Sequence, residues 1–491
     1  MSATVCRYLG LALLAVGFAL GLVGCGGGGD ASAGGAPPLV DPTLRRASAA
    51  SPVAAGCTGG SVSGTVYRNA EVEPFAAIAP GNGNRLFAAW QQDRWSNGGA
   101  LALVSAVSDD GGATWQRTLL PMSRCGGAAA GSSGDYERST DPWVDVSPDG
   151  TAHLLGLSFS GAALSPGSVN AVLASRSTDG GRTWSAPATL VRDGAEFFND
   201  KSALTADPTD ARYVYAVWDR IDVNDHAPTM LARSVDGGLA WEAPRAIYTP
   251  VSAGVSQTIG NRIVVLPAGA ERGVLVNVFT QIDTVGGNAA ARVGVVRSSD
   301  QGLTWSAPVF VAELNAVGTS DATTGRAVRD GATLATIAAG PDGSLWVAWQ
   351  DARFSAGQRD AIAISRSTDG GRSWSTPLAI NRVAAAAAFT PTLHVRADGL
   401  VGVLHYDLRN DTSDATTLLA DAWLLSSRDG QSWAEAHVAG PFDLNGAPDA
   451  GGLFLGDYQG LVSTGTSFLP VLVLSSADAG NRTDVHTPRI D

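Results

Sequence analysis

One short pattern recurs along this chain and ends each time in a tryptophan. The first copy reads Ser108-Asp109-Asp110-Gly111-Gly112-Ala113-Thr114-Trp115. Four more good copies and a sixth, degenerate one follow, and they end at Trp184, Trp241, Trp305, Trp374 and Trp433. The spacing between successive copies ranges from 57 residues (Trp184 to Trp241) to 69 residues (Trp115 to Trp184). A period of this length indicates a repeated supersecondary unit that buries its core against its neighbours.

Each copy has the composition of a tight turn between two strands. Asp and Ser side chains can hydrogen-bond to turn amides, Gly supplies positive φ, and Trp anchors the turn on a sheet. Earlier turns in several units, such as Pro148-Asp149-Gly150 and Pro341-Asp342-Gly343, precede apolar runs such as residues 345–349. The repeat therefore predicts an all-β fold, a β-propeller of four-stranded antiparallel blades.

The number of blades depends on the two ends of the repeat region. Six units carry the pattern, and residues 455–464, 468–475 and 483–490 form three candidate strands without it. Residues 61–67 form a spare strand at the other end. Joining the four would complete a seventh blade and remove exposed sheet edges. We therefore favour seven blades, and six blades with extra terminal strands is the alternative.

The pattern Ser-x-Asp-x-Gly-x-Thr-Trp resembles the Asp box, or bacterial neuraminidase repeat, of the sialidase superfamily. The resemblance covers roughly residues 61–491 and implies the propeller fold. It implies less about activity, because functions differ among proteins that share a fold. One departure is that Glu73-Pro74-Phe75 stands where a sialidase carries Arg-Ile-Pro, which puts the first Arg of a sialidase triad in doubt.

The N-terminus is typical of an export signal rather than of the fold. Arg7 precedes an apolar run of residues 9–23, which is too short for a membrane-spanning helix and ends in Gly24-Cys25. Leu22-Val23-Gly24-Cys25 resembles a bacterial lipobox, and an ordinary cleaved signal is the alternative. We expect a signal peptide over residues 1–24, lipidation at Cys25, a tether over residues 25–56 and the propeller over residues 57–491. This predicts a lipid-anchored protein of the bacterial cell envelope, in the outer membrane and facing the periplasm or the exterior.

Of the four cysteines of the chain, the two in the predicted domain, Cys57 and Cys125, lie in glycine-rich loops. An oxidising compartment favours a disulfide between Cys57 and Cys125, and two separate thiols are the alternative. Neither has the neighbours of a zinc site. We predict no metal or cofactor, although the excess of carboxylates could also hold Ca²⁺, for which no EF-hand-like spacing is present.

The charge balance limits the partners. The net charge is −13, which does not favour binding to nucleic acid or anionic lipid. We expect a monomer that contacts the membrane only through its lipid anchor and binds a glycan or glycoconjugate.

Candidate site residues fall in two groups. An aromatic residue, a carboxylate and an Arg follow the second strand of several units, and these either surround a substrate mouth or clamp loops; the group includes Asp93, Arg94 and Arg353. The second group lies where the chain enters each blade, near the expected central channel, where the residues bind substrate or pair with one another. It includes Glu73, Asp141, Asp200, Lys201, Arg262, Arg329, Asp330, Asp457 and Tyr458.

The resemblance to sialidases implies roles for these residues. Tyr458 activated by Glu73 would be the nucleophile, and Asp93 or Asp141 the general acid. An Arg cluster would hold a substrate carboxylate, drawn from Arg94, Arg262, Arg329 and Arg353. Asp200, Lys201, Asp330 and Asp457 would complete the binding site. Three functions stay open: exo-α-sialidase, a non-catalytic glycan- or protein-binding propeller, and another glycosidase or lyase. Whether the protein is an enzyme is therefore not decided by the sequence.

Overall fold

The structure is a computed structural model that describes residues 44–60 and 63–491. In these residues the chain forms thirty strands, two short 3₁₀ helices (Ala352–Ser355 and Leu444–Gly446) and no α-helix. None of the described helices is long and apolar enough to cross a membrane. The predicted signal peptide, the lipidation site Cys25 and the first part of the predicted tether lie outside the described residues.

Most strands form six four-stranded antiparallel units, each with its strands in chain order, and the pair Ala100–Ser139 joins the first two units into one eight-stranded sheet. Unit 1 contains β1 Glu71–Ile78, β2 Leu86–Arg94, β3 Ala100–Ser108 and β4 Gln116–Leu119. Unit 2 contains β5 Arg138–Val146, β6 Ala152–Ser160, β7 Val169–Ser177 and β8 Ala188–Asp193. Unit 3 contains β9 Phe197–Ala206, β10 Val214–Asp222, β11 Thr229–Ser234 and β12 Arg245–Tyr248.

The second half of the chain repeats this arrangement. Unit 4 contains β13 Val255–Val265, β14 Leu275–Val285, β15 Asn288–Ser298 and β16 Val309–Leu314. Unit 5 contains β19 Thr336–Ala339, β20 Leu345–Asp351, β21 Ala361–Ser367 and β22 Leu378–Ala379. Unit 6 contains β23 Ala388–Val395, β24 Val401–Asp407, β25 Leu419–Ser427 and β26 Ala434–Asp443.

Two three-stranded sheets complete the structure. The terminal sheet consists of β28 Gly460–Thr464, β29 Ser467–Ser475 and β30 Thr483–His486. The cap sheet consists of β17 Thr319–Ser320, β18 Ala327–Arg329 and β27 Leu453–Phe454, which come from two segments that interrupt the regular repeat. The prediction of an all-β fold with four-stranded antiparallel units is confirmed, and the architecture is propeller-like.

The recurring pattern forms the turn between the third and fourth strands. In the first copy, Asp110 accepts hydrogen bonds from the Thr114 amide (2.8 Å) and the Thr114 hydroxyl (2.5 Å), while Ser108 Oγ accepts from the Gly112 amide (2.9 Å). The two bonds from Thr114 lower the pKa of Asp110 to about 2. Trp115 Nε1 donates to Gly112 O at 3.2 Å and closes the turn. The side chains therefore satisfy turn amides that no strand partner reaches.

The degenerate sixth copy forms a corresponding turn that begins one residue later and is one residue shorter. Ser427 Oγ takes the place of the first serine, donating to Asp429 (3.0 Å) and accepting from the Gly430 amide (2.8 Å). Trp433 Nε1 still points at Gly430 O, at 3.4 Å. The replacement of the usual Asp by Arg428 therefore leaves the turn in place.

The first strands of successive units pack side by side, and this brings residues from distant parts of the chain together. β1 packs on β5, and the series continues through β9, β13, β19, β23 and β28, which in turn packs on β1. Second strands carry the largest buried side chains, such as Trp90, Trp218 and Trp349, between neighbouring sheets. Residues at the start of each first strand therefore face a common centre.

The N-terminal segment packs on the terminal sheet. Arg46 forms an antiparallel bridge with His486, and the Ala47 amide donates to Val485 O at 2.8 Å. Ala47 and Val53 are buried, so the described end of the predicted tether lies against the sheets. Of residues 61–67, which we expected to pair with the terminal sheet, the structure describes 63–67, and in this part Val66 forms its bridge with Trp95 instead. Cys57 and Cys125 form a disulfide in this region.

Candidate functional site

Eight of the predicted site residues lie together at the starts of the first strands. We call them the central cluster: Glu73, Arg94, Asp141, Asp200, Lys201, Arg329, Asp457 and Tyr458. They come from units 1, 2 and 3, the cap sheet and the segment before the terminal sheet. Apart from the partly exposed Asp200, Arg329 and Tyr458, all are buried. Burying this many charges is costly unless they pair with one another, and so their pairing is the first question.

A backbone irregularity at the same place in three units aims the charged side chains inward. Glu73, Asp141 and Lys201 have left-handed φ values of 51°, 51° and 49°, and each lies at a bulge that shifts the strand register. In unit 4 the bulge residue is Gly260, with φ of 71°. Left-handed backbone costs a residue with a side chain roughly 1 kcal/mol or more, and such strain is concentrated at functional sites.

Four side chains form the ion pairs at the middle of the cluster. Arg329 binds Asp457 with both ends of its guanidinium group, Nη2 to Oδ2 at 2.7 Å and Nε to Oδ1 at 3.1 Å. Lys201 Nζ also contacts Asp457 Oδ2 and lies 3.5 Å from Glu73 Oε1. Asp457 thus receives two cations, and Lys201 lies between two carboxylates.

Backbone and amide groups fix the remaining carboxylate oxygens. The Asp457 amide donates to Glu73 Oε1 at 3.2 Å, and Gln91 Nε2 donates to Glu73 Oε2. The Lys201 amide donates to Asp141 Oδ2 at 2.9 Å and to Asp200 Oδ1 at 3.0 Å. These contacts hold four carboxyl groups around one ammonium group.

Burial and pairing shift the ionisation of the cluster in opposite directions. Burial raises the pKa of Glu73 to about 7 although Lys201 opposes the shift, and burial raises the pKa of Asp200 to about 6. Burial would also raise the pKa of Asp457, but Arg329 and Lys201 together hold it well below its usual range. The cluster therefore contains one carboxylate that stays ionised and two carboxyl groups that can exchange a proton near neutral pH.

Tyr458 lies beside an aromatic wall. The rings of Phe75 and Trp143 are stacked with centroids 3.5 Å apart, and the Tyr458 ring lies 5.4 Å from that of Trp143. The Tyr458 hydroxyl donates to Pro142 O at 3.3 Å. Burial, and after it the nearby Glu73 carboxylate, raises the pKa of Tyr458 well above its usual value. The phenol is therefore neutral and needs a base to act as a nucleophile.

Arg262 faces the same aromatic wall without a carboxylate partner. Its guanidinium carbon lies 5.2 Å from the Phe75 ring centre and 5.4 Å from that of Trp143, and Nη1 donates to Thr336 Oγ1 at 2.9 Å. Among the described residues, no carboxylate oxygen lies within 4.0 Å of it. Burial lowers its pKa to about 10, so it remains a cation at neutral pH. It is a cation with capacity to bind an anionic group.

A pocket of about 50 Å³ connects these groups. Its walls combine the aromatic residues and Arg262 with ends of the central cluster and small polar residues of units 4 to 6. The lining includes Phe75, Trp143, Lys201, Arg262, Asp457 and Tyr458. A concave site with an apolar wall and a few polar groups has the character of a small-ligand or sugar site.

The cap sheet lies against the central cluster. Phe454 of β27 is fully buried, and the guanidinium groups of Arg94 and Arg329 lie 4.6 and 4.5 Å from its ring centre. It also packs on Val72 and Ala450. Because Arg329 belongs to β18, the ion pair with Asp457 and the Phe454 contacts fix the cap to the cluster.

Three predicted site residues lie apart from the cluster and hold loops. Asp93 is fully buried and accepts from the Asn69 amide (2.8 Å) and Ser51 Oγ (2.7 Å). Asp330 accepts from the Thr319 amide at 2.7 Å and Gln350 Nε2 at 3.0 Å. Arg353 pairs with Asp351, with Nη2 2.7 Å from Oδ2. None of the three lines the pocket.

Other Arg residues after second strands are also engaged by carboxylates. Arg409 pairs with Asp407 and Glu435, and Arg220 pairs with Asp193. The structure therefore supports the loop-clamp interpretation of this repeated motif over a ring of substrate-binding pairs. Arg94 is the exception, since it points into the cluster and donates to Gln91 Oε1 at 2.6 Å.

Sequence reasoning missed the aromatic wall and the cap. Phe75 and Trp143 each follow an acid and a proline, in Glu73-Pro74-Phe75 and Asp141-Pro142-Trp143, so a repeated acid–Pro–aromatic triplet was available as a clue. Phe454 had no comparable sequence pattern, because its role depends on a long-range contact.

The sequence left a Ca²⁺ site open as a possibility. The described residues contain no group of three or more acidic, His or Cys side chains arranged to hold a metal ion.

The chain resembles known proteins mainly in its repeat. A family model described as a BNR repeat-like domain matches residues 213–481. Among curated proteins, none matches the sequence.

Solved structures with a similar arrangement share little sequence with the chain. A protein of unknown function from Dyadobacter fermentans is 16% identical over 87% of this chain and 97% of its own, with a TM-score of 0.47. The GH93 α-L-arabinofuranosidase of Fusarium graminearum is 13% identical (87% and 94% covered, TM-score 0.45). The intramolecular trans-sialidase of Ruminococcus gnavus is 14% identical (93% and 98% covered, TM-score 0.40). None of these similarities is close enough to assign a substrate.

Proposed function

Because the chain belongs to the family of BNR repeat-like domains, we propose that its central pocket binds the terminal sugar of a glycan and hydrolyses the glycosidic bond. More specifically, we propose that the protein is an exo-α-sialidase. The observation that carries the proposal is that Tyr458 and Arg262 line one pocket, while the Glu73 carboxyl group is buried next to it, accepts from the Asp457 amide and influences the pKa of Tyr458. A nucleophile, a base and an anion-binding group are the three elements that such a reaction needs.

The proposed chemistry assigns one proton-transfer role to each of the two carboxyl groups whose pKa values lie near neutral pH. Glu73, with a pKa of about 7, accepts the phenolic proton as Tyr458 Oη attacks the anomeric carbon. Asp200 is partly exposed and has a pKa of about 6, and it donates a proton to the leaving oxygen. Water then attacks the glycosyl-tyrosine with Asp200 as the base, and Glu73 returns the proton to Tyr458. In this scheme Asp200 replaces Asp93 and Asp141 as the general acid, because Asp200 is partly exposed whereas Asp93 and Asp141 are buried.

An acidic sugar suits the distribution of charge. The net charge of −13 repels an anionic substrate in general, so a local cation must hold it. Arg329 and Lys201 are neutralised by Asp457 and Glu73, whereas Arg262 is not paired with a carboxylate. We therefore assign the substrate carboxylate to Arg262. Arg353 takes no part, because Asp351 already occupies it.

Tyr458 must change its hydrogen bond for this reaction. Its hydroxyl donates to Pro142 O at 3.3 Å, a long and weak bond that a small rotation breaks.

The hydrogen bond of Tyr458 to Pro142 also fits a second candidate function, a propeller that binds a glycan without cleaving it. In that case Glu73, which is 1% exposed, only neutralises Lys201.

We further propose that the sheets form a closed seven-bladed ring. The terminal sheet supplies three strands of the seventh blade, and the segment around Arg46, paired with His486, supplies the fourth. Packing of β28 on β1 supports closure, and closure removes sheet edges that would otherwise be exposed. The signal peptide, the lipid anchor at Cys25, the cell-envelope location and the monomeric state remain parts of the same proposal.

A turnover assay tests the activity. Purified protein is incubated with a fluorogenic α-sialoside and, in parallel, with a fluorogenic α-L-arabinofuranoside. We expect hydrolysis of the sialoside only. Tyr458→Phe should lose at least about 100-fold in kcat, and Arg262→Ala should raise KM. The control Arg353→Ala, which leaves the pocket untouched, should retain activity within about twofold.

The turnover assay, combined with calorimetry of sialic acid binding, separates the alternatives. Sialic acid that binds in calorimetry without turnover would favour the non-catalytic binder. Hydrolysis of the arabinoside alone would show another glycosidase. Full activity of Tyr458→Phe would contradict the proposed nucleophile.

A further inference from the structure

Lys201 is the only lysine of the chain and lies at the centre of the cluster. We propose that Lys201 is a positioning residue: its ammonium group keeps the Glu73 carboxyl group in place and ionised beside Tyr458, and it does not bind substrate. This inference rests on the proposed function, in which Glu73 accepts the proton of Tyr458. It gives Lys201 a role different from the substrate-binding role expected from the sequence.

The contacts of Lys201 leave little capacity for a ligand. Nζ lies 3.5 Å from Glu73 Oε1 and also contacts Asp457 Oδ2, and the side chain is 7% exposed. Its backbone amide donates to Asp141 and Asp200, which fixes the direction of the side chain. The left-handed backbone, with φ of 49°, is the conformation that places the amide on these two carboxylates. Two carboxylates already neutralise the positive charge of this ammonium group, so it does not attract the carboxylate of an acidic sugar.

The position of Glu73 depends on the same group. One of its oxygens lies near both Lys201 Nζ and the Asp457 amide, and the other accepts from Gln91. Tyr458 is the next residue after Asp457, so the contacts that hold Asp457 also hold the start of the nucleophile segment. Lys201 therefore links the proposed base to the proposed nucleophile through two contacts.

The charges around Glu73 determine whether it can act as a base. Asp457 and Asp141 favour its protonated form, as burial does, while Lys201 and the more distant Arg94 favour its ionised form. Lys201 is the largest of the influences that keep it ionised. Removing the ammonium group should therefore protonate Glu73 at neutral pH and stop it from accepting the proton of Tyr458.

The uniqueness of Lys201 allows a direct test in the full chain without substrate. Protein labelled with [¹³Cε]lysine should give one lysine signal in a ¹H–¹³C correlation spectrum. We expect its chemical shift to follow the ionisation of Glu73, with a midpoint near pH 7. Asp200, whose pKa is about 6, should add a separate step at lower pH. Glu73→Gln should remove the step near pH 7 and keep the lower one, and Asp200→Asn should remove the lower one and keep the step near pH 7. A signal that shows no step near pH 7, or the same step near pH 7 in Glu73→Gln, would overturn the proposal.

Kinetics provide the second test. In Lys201→Met the acidic limb of the kcat/KM profile should move to higher pH by at least one unit, with KM at high pH within about twofold of the wild-type value. Lys201→Arg, which restores the positive charge, should return the limb most of the way. A tenfold rise in KM with an unmoved limb would show that Lys201 binds substrate and would contradict the proposal.

The two tests fail in different ways if the proposed function is wrong. A protein that shows the NMR step but hydrolyses no glycoside supports the pairing of Lys201 with Glu73 and refutes the hydrolase. A protein that hydrolyses sialosides but lacks the step refutes the role of Lys201 alone. Because the NMR measurement needs no turnover, misfolding of Lys201→Met would not leave the inference without a test.

Discussion

Arg329 and Asp457 are 128 residues apart in the chain and form a two-point ion pair, with Nη2 2.7 Å from Oδ2. Arg329 belongs to the cap sheet, and Asp457 also binds Lys201 of unit 3. The pair therefore joins three separate parts of the fold at the wall of the pocket. Its burial means that each partner is needed to compensate the other.

Asp457→Asn tests this dependence. The change leaves Arg329 and Lys201 buried without their shared carboxylate, so we expect the free energy of unfolding to fall by about 3–5 kcal/mol. Urea denaturation measures it. The matched control is Asp109→Asn, which breaks the exposed pairs with Arg85 and Arg182 and should cost less than about 1 kcal/mol. Equal losses for the two variants would contradict the account.

Glu71 should make stability depend on pH. It is buried, one of its oxygens accepts from Gln92 Nε2 at 2.6 Å, and the other has no hydrogen-bond partner among the described residues. Burial raises its pKa from 4.5 to about 8. The folded chain thus binds this proton more tightly than the unfolded chain, and the free energy of unfolding falls as pH rises from about 4.5 to about 8, by up to about 1.4 kcal/mol per pH unit.

Glu71→Gln isolates that contribution. Denaturation of wild type and variant at pH 5, 6, 7 and 8 should show a shallower loss of stability in the variant. Other buried carboxyl groups, such as Asp219, keep a part of the slope in both proteins. Parallel curves would mean that Glu71 is ionised in the fold.

The disulfide between Cys57 and Cys125 should stabilise the first unit and the N-terminal segment. It spans 68 residues, and in the chain-entropy model closing a loop of that length contributes about 4 kcal/mol. Replacing both cysteines by serine should lower the free energy of unfolding by about 2–5 kcal/mol. Wild type in reducing agent should match the double variant. Insensitivity of the wild type to reduction would show that the bond does not form.

Trp143 should contribute to ligand binding rather than to chemistry. Its ring is stacked on Phe75 and faces Arg262 across the pocket. Trp143→Ala should therefore raise KM or the ligand Kd by about tenfold, since the aromatic surface is lost, and change kcat less. Trp143→Phe should recover most of the affinity. A fall in kcat at unchanged KM would place Trp143 in the chemical step instead.

The repeat made most of the fold predictable and only a part of the site. The Asp-box turns are local, so the residues from Ser108 to Trp115 determine their own geometry and the strands on either side. The sixth copy shows that the pattern tolerates changes, since Ser427 takes the place of Ser426 and the turn still forms. Nothing local, however, connects residues 45–48 to His486, and so the sequence suggested the wrong segment as the partner of the terminal sheet.

The same distinction explains the site residues. The segments that lead into the first strands differ from unit to unit, and this difference correctly indicated Glu73, Lys201 and Asp457 as neighbours. Arg353 and Asp93 were expected in the site because they belong to a repeated motif. In the structure both residues hold loops instead. Phe454 could not be foreseen, because its place depends on the packing of the cap sheet against Arg94.

The most direct test of the central claim is to identify the nucleophile. The protein is reacted with a 3-fluoro sialyl fluoride, which forms a slowly hydrolysed glycosyl-enzyme, and peptides are then analysed by mass spectrometry. We expect one sugar attached to the peptide that contains Tyr458 and none in Tyr458→Phe. An adduct on another residue, or hydrolysis of the sialoside without any adduct, would contradict it.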